Sequence, residues 1–116
     1  MTVLSLADSG IFKCVCLGDE PSRTISKVYY CDLLSIAMGR APAGSAWVTV
    51  MANMNTLAVA SLTDAACVIL AEGAALDDLC LQKAKTQGIT VFETALPVFD
   101  AALKIHEIMN VPEAAL

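Results

Sequence analysis

Apolar and polar positions along this chain fall into short blocks that switch between two periods. Residues 66–71, Ala-Cys-Val-Ile-Leu-Ala, are apolar without a break, the pattern of a strand covered on both faces. Residues 47–51, Trp-Val-Thr-Val-Met, form a second extended run. The polar corner Ala52-Asn53-Met54-Asn55-Thr56 that follows places Asn55 or Thr56 to cap a helix over 56–64, in which Leu57, Ala60, Ser61 and Asp64 recur at helical spacing. The rest of the chain is organised around this strand, corner, helix and strand.

Taken in order, the chain opens with a short helix, capped by Thr2 and stopped by Gly10. A strand over 11–17 comes next, then a loop over 18–24 that combines Gly18, Pro21 and clustered charge. A strand over 25–31 leads into Asp32, which reads as the N-cap of a helix over 33–38 with Gly39 as its stop. After the central block, Glu72-Gly73 ends the 66–71 strand. The helix over 75–87 has Asp77 and Asp78 in its first turn, Lys83 and Lys85 in its last, and Gly88 as its stop. Its buried stripe is predicted to be Leu76, Leu79, Cys80 and Ala84. A strand over 89–92 runs into Glu93 and Thr94, and Pro97 belongs in the first turn of a last helix with Phe99, Ala102, Leu103, His106 and Met109 on one side. Residues 111–116 form a tail that is expected to fray.

From Ile25 onward strand and helix alternate with short connections. That order implies an α/β fold: a three-layer α/β/α arrangement, with a mainly parallel sheet of about five strands and helices on both faces. The chain of 116 residues is expected to be one domain, spanning 1–116.

Composition narrows the function. Apolar residues make up 57% of the chain and charged residues 16%, an excess of apolar surface that predicts a homodimer. No charge occurs between Arg40 and Asp64, yet Pro42, Gly44, Asn53 and Asn55 interrupt that interval too often for a membrane span. The first residues show no basic segment ahead of an apolar block, so no secretory signal is read there and a cytoplasmic location is expected. A net charge of −5 without a basic cluster argues against nucleic acid and anionic membrane as partners. Five scattered cysteines read as reduced thiols. Cys14-Val15-Cys16 would put two thiols on one strand face, but the spacing is not that of a zinc knuckle, and neither metal nor cofactor is expected.

The segment order from Val28 to the last helix resembles the DRTGG domain family. The likeness rests on linked features: the Asp32-Leu-Leu-Ser run, the polar corner before Ala58-Val-Ala-Ser-Leu, Val68-Ile-Leu-Ala-Glu-Gly, the Ala84-Lys-Thr-Gln-Gly-Ile turn and the final helix with Phe99. It implies a small α/β/α domain, similar in fold to the N-terminal domain of HPr kinase/phosphorylase. Such domains occur beside CBS domains and ahead of phosphotransacetylase catalytic domains, acting in regulation and dimer assembly. Where the family carries Asp-Arg this chain has Asn53-Met54-Asn55, and where it carries Thr-Gly-Gly this chain has Ala71-Glu72-Gly73. Only Gly73 keeps the pattern.

In a parallel sheet Asp32, Asn53, Asn55, Glu72, Gly73, Glu93 and Thr94 all emerge at the edge where strands hand over to helices, the usual ligand edge of α/β proteins. Asp32, Asn55 and Thr94 are also what ordinary helix caps look like. Glu72 and Glu93 suit a ligand that offers hydrogen-bond donors, or a divalent ion, better than an anion. Phosphate-loop, dinucleotide-turn and nucleophile-elbow motifs are absent, and no side chain stands out as a general base. The expected role is therefore a non-catalytic regulatory or small-ligand-sensing homodimer, with Asp32, Asn53, Asn55, Glu72, Gly73 and Thr94 as the ligand site. A structural interaction domain for a partner enzyme is the alternative, and a small enzyme the third reading.

Overall fold

The computed structural model describes residues 1–110, and the tail expected over 111–116 lies outside them. The elements run α1 (Val3–Ser9), β1 (Lys13–Cys16), β2 (Lys27–Tyr30), α2 (Leu34–Arg40), β3 (Ser45–Thr49), α3 (Met54–Leu62), β4 (Cys67–Leu70), α4 (Asp78–Gln87), β5 (Val91–Glu93) and α5 (Val98–Met109). One five-stranded sheet has the order β1-β5-β4-β3-β2. Strands β2 to β5 are parallel, whereas β1 pairs antiparallel with β5.

Each crossover from β2 to β5 steps one strand in the same direction, so helices of one hand must share a face. The packing agrees. Ala37 of α2, Leu57, Val59 and Ala60 of α3, and Cys80 and Ala84 of α4 meet Trp47, Val68, Leu70 and Val91 in one buried cluster. On the other face Val3 and Leu6 of α1 and Val98, Ala101 and Ile105 of α5 meet Ala46, Val48, Cys67, Ile69 and Phe92. Successive residues of β3, β4 and β5 thus alternate between two helical layers, as strand geometry requires. The three-layer, mainly parallel α/β/α arrangement expected from the sequence is the one observed.

Local signals account for several boundaries. Thr2 caps α1 through a capping box, and Gly10 closes it in the left-handed conformation at φ 71°. Gly88 does the same for α4 at φ 68°. Trp47 is wholly buried, and its indole N–H donates to the Cys31 carbonyl at 3.0 Å, so the ring fills core and ties β3 to the end of β2.

Other expectations are corrected. The cap of α3 is Asn53, not Asn55 or Thr56; the helix ends at Leu62, which leaves Ser61 exposed and Asp64 beyond it in a left-handed turn at φ 60°. Helix α2 has Leu33 at its N-cap with no side-chain hydrogen bond, and it runs through Gly39 to Arg40. Pro97 sits at the N-cap of α5, one residue before its first turn. That helix buries Val98, Ala101 and Ile105, while Phe99, Leu103 and His106 are exposed. Both stripes have helical spacing, so periodicity cannot choose between them. In α4 the buried stripe is Cys80 and Ala84, and Leu79 is 76% exposed. A β-bulge between Cys14 and Cys16 sends Cys14 toward the α1/α5 layer and Cys16 into the α2–α4 layer, so the two thiols do not share a face.

Leu57, 1% exposed, and Leu79 give a direct check on this packing. Leu57→Ala should cost about 2–5 kcal/mol in urea unfolding, and Leu79→Ser no more than about 0.5 kcal/mol. Equal costs would contradict the assignment of the two faces.

Candidate functional site

The carboxyl ends of β2 to β5 form one rim, and the chain leaves each strand by a different device. After β2, Asp32 accepts hydrogen bonds from the Thr49 hydroxyl at 2.9 Å and the Val50 amide at 3.0 Å. It is a clamp between β2 and β3, not the helix cap expected from its position. After β3, the Asn53 side chain accepts from the Thr56 amide at 3.1 Å, and Asn55 is exposed in the first turn of α3.

The ends of β4 and β5 are tied to each other. Glu72 and Gly73 are both left-handed, at φ 58° and 78°, a conformation that costs a residue with a Cβ about 1 kcal/mol. Two hydrogen bonds hold this turn: the Glu72 amide donates to the Leu96 carbonyl at 2.8 Å and the Gly73 amide to the Thr94 carbonyl at 3.0 Å. The Glu93 carboxylate accepts from the Leu76 amide at 3.3 Å, and the Thr94 hydroxyl accepts from the Leu96 amide at 3.2 Å. Thr94 therefore shapes the turn before Pro97 and caps no helix.

Beyond β4 the chain passes to α4 on one face of the sheet; beyond β5 it passes to α5 on the other. Adjacent parallel strands whose connections diverge in this way leave a crevice outside their carboxyl ends, the place where α/β sheets take ligands. Here it measures about 240 Å³ and is lined by Lys13, Gly73, Ala74, Glu93, Thr94 and Ala95. Lys13 reaches it because β1 runs antiparallel, with Lys13 opposite Glu93 in the register.

Of the residues expected at a site, Gly73 and Thr94 line the crevice, and Glu72 adjoins it. Asp32 and Asn53 belong to the β2/β3 end of the rim, each engaged in its own hydrogen bonds, and Asn55 is exposed there with no side-chain hydrogen bond among the described residues. Lys13, Ala74 and Ala95 escaped the sequence reading. Nothing in residues 11–17 marks the direction of β1, so no local pattern could have brought Lys13 to this edge.

The rim is acidic. Asp32, Glu72, Glu93 and the first-turn residues Asp78 and Asp100 lie along it with Asp77, while Lys13 is the one basic side chain lining the crevice. The Asp77 carboxyl is held below the usual range because it accepts the Cys80 amide hydrogen bond at the start of α4. Four of the thiols, Cys14, Cys16, Cys67 and Cys80, are weakened as nucleophiles. Burial pushes Cys14, Cys16 and Cys80 up and takes Cys67 to about 12. Among the described residues no group of His, Cys, Asp and Glu is arranged to hold a metal ion, and no helix is long and apolar enough to cross a membrane.

A second cleft, about 180 Å³, opens at the opposite edge and includes Asp19, Arg23, Asp64, Gly88 and Thr90. Its cation is already engaged, since Arg23 grips Asp64 through two hydrogen bonds of 2.6 and 2.8 Å. The C-terminal ends of α3 and α4 lie there, so carbonyl groups surround it. Its parts hold the 18–24 loop against α4: the Asp19 amide donates to the Gly88 carbonyl at 3.0 Å.

No protein-family model and no curated protein matches the chain. A solved structure of similar fold is the CBS and DRTGG domains of the regulatory region of Clostridium perfringens pyrophosphatase, complexed with its activator, diadenosine tetraphosphate. The TM-score is 0.68 at 16% identity, over 88% of this chain and 44% of that one. The chain thus spans less than half the length of its structural neighbour, and the likeness is one of fold.

Two outcomes follow from the hydrogen bonds at the rim. Asn53→Ala should cost about 0.5–2 kcal/mol in chemical denaturation and Asn55→Ala a few tenths at most; the reverse order would move the cap of α3. Asp64 and Asp77 both have folded pKa values below those of the unfolded chain. Their stabilisation is present above about pH 4 and is lost as pH falls through the folded values. Asp77→Asn should therefore lose less stability than the native chain between about pH 4 and pH 2 in thermal melts.

Proposed function

We propose that the chain is a non-catalytic regulatory module, a single domain over 1–116 that homodimerises in the cytoplasm and senses a small molecule at the β4/β5 crevice. The observation that carries this reading is the divergence of the chain beyond β4 and β5, which leaves an open, lysine-bearing crevice among small side chains. The neighbour of similar fold is a regulatory region that holds a nucleotide activator, which supports a regulatory role in place of a catalytic one. The burial that raises the Cys14, Cys16, Cys67 and Cys80 thiols supports it too.

The ligand is read from the charge of the rim. One ammonium faces Glu72, Glu93 and the acidic first turns of α4 and α5, so a bare polyphosphate is repelled at short range. A molecule that presents hydrogen-bond donors to Glu93 and one acceptor to Lys13 fits better. Asp32, Asn53 and Asn55 would serve as an outer part of the same edge. A second reading, an interaction domain for a partner enzyme, draws on the exposed apolar side chains Leu33, Ile36, Met38 and Phe99.

Thermal unfolding against nucleotides, acyl phosphates, amines and divalent ions separates the two. A ligand at about 100 times its Kd should add about 2.7 kcal/mol of stability. Ala95→Trp, which fills the crevice from an exposed position, should remove that response and leave the melting temperature of the free protein within about 2 °C. A response that survives Ala95→Trp would take the ligand out of the crevice, and no response to any compound would favour the interaction domain.

A further inference from the structure

The two edges of the sheet differ in how their ladders end among the described residues. At β1 a bulge between Cys14 and Cys16 breaks the ladder, one of the devices by which proteins prevent edge pairing. At β2 there is no bulge in the pairing with β3 and no proline, and the strand Lys-Val-Tyr-Tyr has one charge, at its first residue. Met1 and Thr2 pair with the segment before the strand, where Thr2 bridges Thr24 and the Ile25 amide donates to the Met1 carbonyl at 2.9 Å; along 27–30 the edge has no partner strand among the described residues and is a template for one.

Its free groups can be assigned. The Cys31 amide donates to the Val48 carbonyl at 3.3 Å. In a parallel ladder the backbone groups of alternate residues point to the same side, so Tyr29 and Cys31 face β3 while the amide and carbonyl groups of Val28 and Tyr30 point outward. Beside this edge lies α2, the outermost helix of its layer. It buries only Ala37, leaving Ile36 and Met38 45% and 46% exposed, with Tyr30 at 55% and Leu33 at 54% next to it. Exposed apolar side chains grouped in this way mark an interaction surface.

We infer that the outer edge of β2 pairs antiparallel with the same strand of a second copy, about a two-fold axis at Tyr29, joining two five-stranded sheets into one. The inference rests on the homodimer reading above and names its surface. Antiparallel pairing requires outward residues to face outward residues, and with the axis at Tyr29 each Val28 lies opposite Tyr30 of the second copy. That is an aromatic against a β-branched side chain, a favourable cross-strand pair, and it occurs twice by symmetry. The charges choose the direction. Lys27 stands at one end of the strand and Asp32 just past the other, so antiparallel pairing brings unlike charges together and parallel pairing would align like ones.

Amide hydrogen exchange read residue by residue, with light scattering on the same samples, tests this. At on the order of 100 µM protein the chain should scatter as a dimer, with the Val28 and Tyr30 amides slow; on dilution below the dimer Kd those two should become fast while Tyr29 and Cys31 stay slow. Tyr30→Lys should weaken the dimer by about tenfold or more and leave the monomer folded by circular dichroism, whereas Tyr30→Phe should change Kd by no more than about threefold. A dimer in which the Val28 and Tyr30 amides remain fast overturns the β2 surface and leaves the homodimer reading standing. A monomer at every concentration overturns both.

Discussion

Burial of β4 on both faces is the constraint from which the architecture follows. Cys67, Val68, Ile69 and Leu70 are each no more than 1% exposed, and a strand without a polar side cannot lie at a surface. It needs a strand on each flank and a helical layer on each face. Strands β3 and β5 take the flanks; α3 and α4 cover Val68 and Leu70, and α1 and α5 cover Cys67 and Ile69. To supply both layers from one short chain, the path changes face twice, first between α1 and α2 and again beyond β5.

The second change of face links fold to site. Because α4 and α5 start on opposite sides, the turns at 72–73 and 94–96 diverge around a gap, and hydrogen bonds from the Glu72 and Gly73 amides join them. The left-handed pair Glu72-Gly73 is what such a turn demands: a reversal directly after a fully buried strand, with both amides aimed at the neighbouring connection. Small residues at 74 and 95 keep the gap open, and the antiparallel β1 delivers Lys13 to it. The rim around this gap is acidic apart from Lys13, and a likeness at 16% identity is one of fold.

Much of this was legible in the sequence, for physical reasons that can be named. The unbroken apolar run of β4 and the strand–helix alternation imply a covered parallel sheet, and Thr2, Gly10 and Gly88 act through local backbone chemistry that a few residues suffice to define, whereas Asp77, expected inside the first turn of α4, is its N-cap. The failures share a cause. Asp32 has the spacing of a cap but finds better donors at Thr49 and Val50 on another strand. The last helix offers two stripes of equal periodicity, and only docking onto β2 and β3 decides for Val98, Ala101 and Ile105. The bulge in β1 and its direction are set by pairing with β5. Each of these is a long-range contact, which no window of sequence contains.

The account stands on the contact between the β4 and β5 connections, since the crevice, the position of Thr94 and the split into two layers all require it. NMR scalar coupling across hydrogen bonds measures it without a ligand or a variant. A coupling from the Gly73 amide nitrogen to the Thr94 carbonyl carbon, and one from Glu72 to Leu96, is the predicted result. Couplings missing at both positions, while those between β3 and β4 are resolved in the same spectrum, would contradict it.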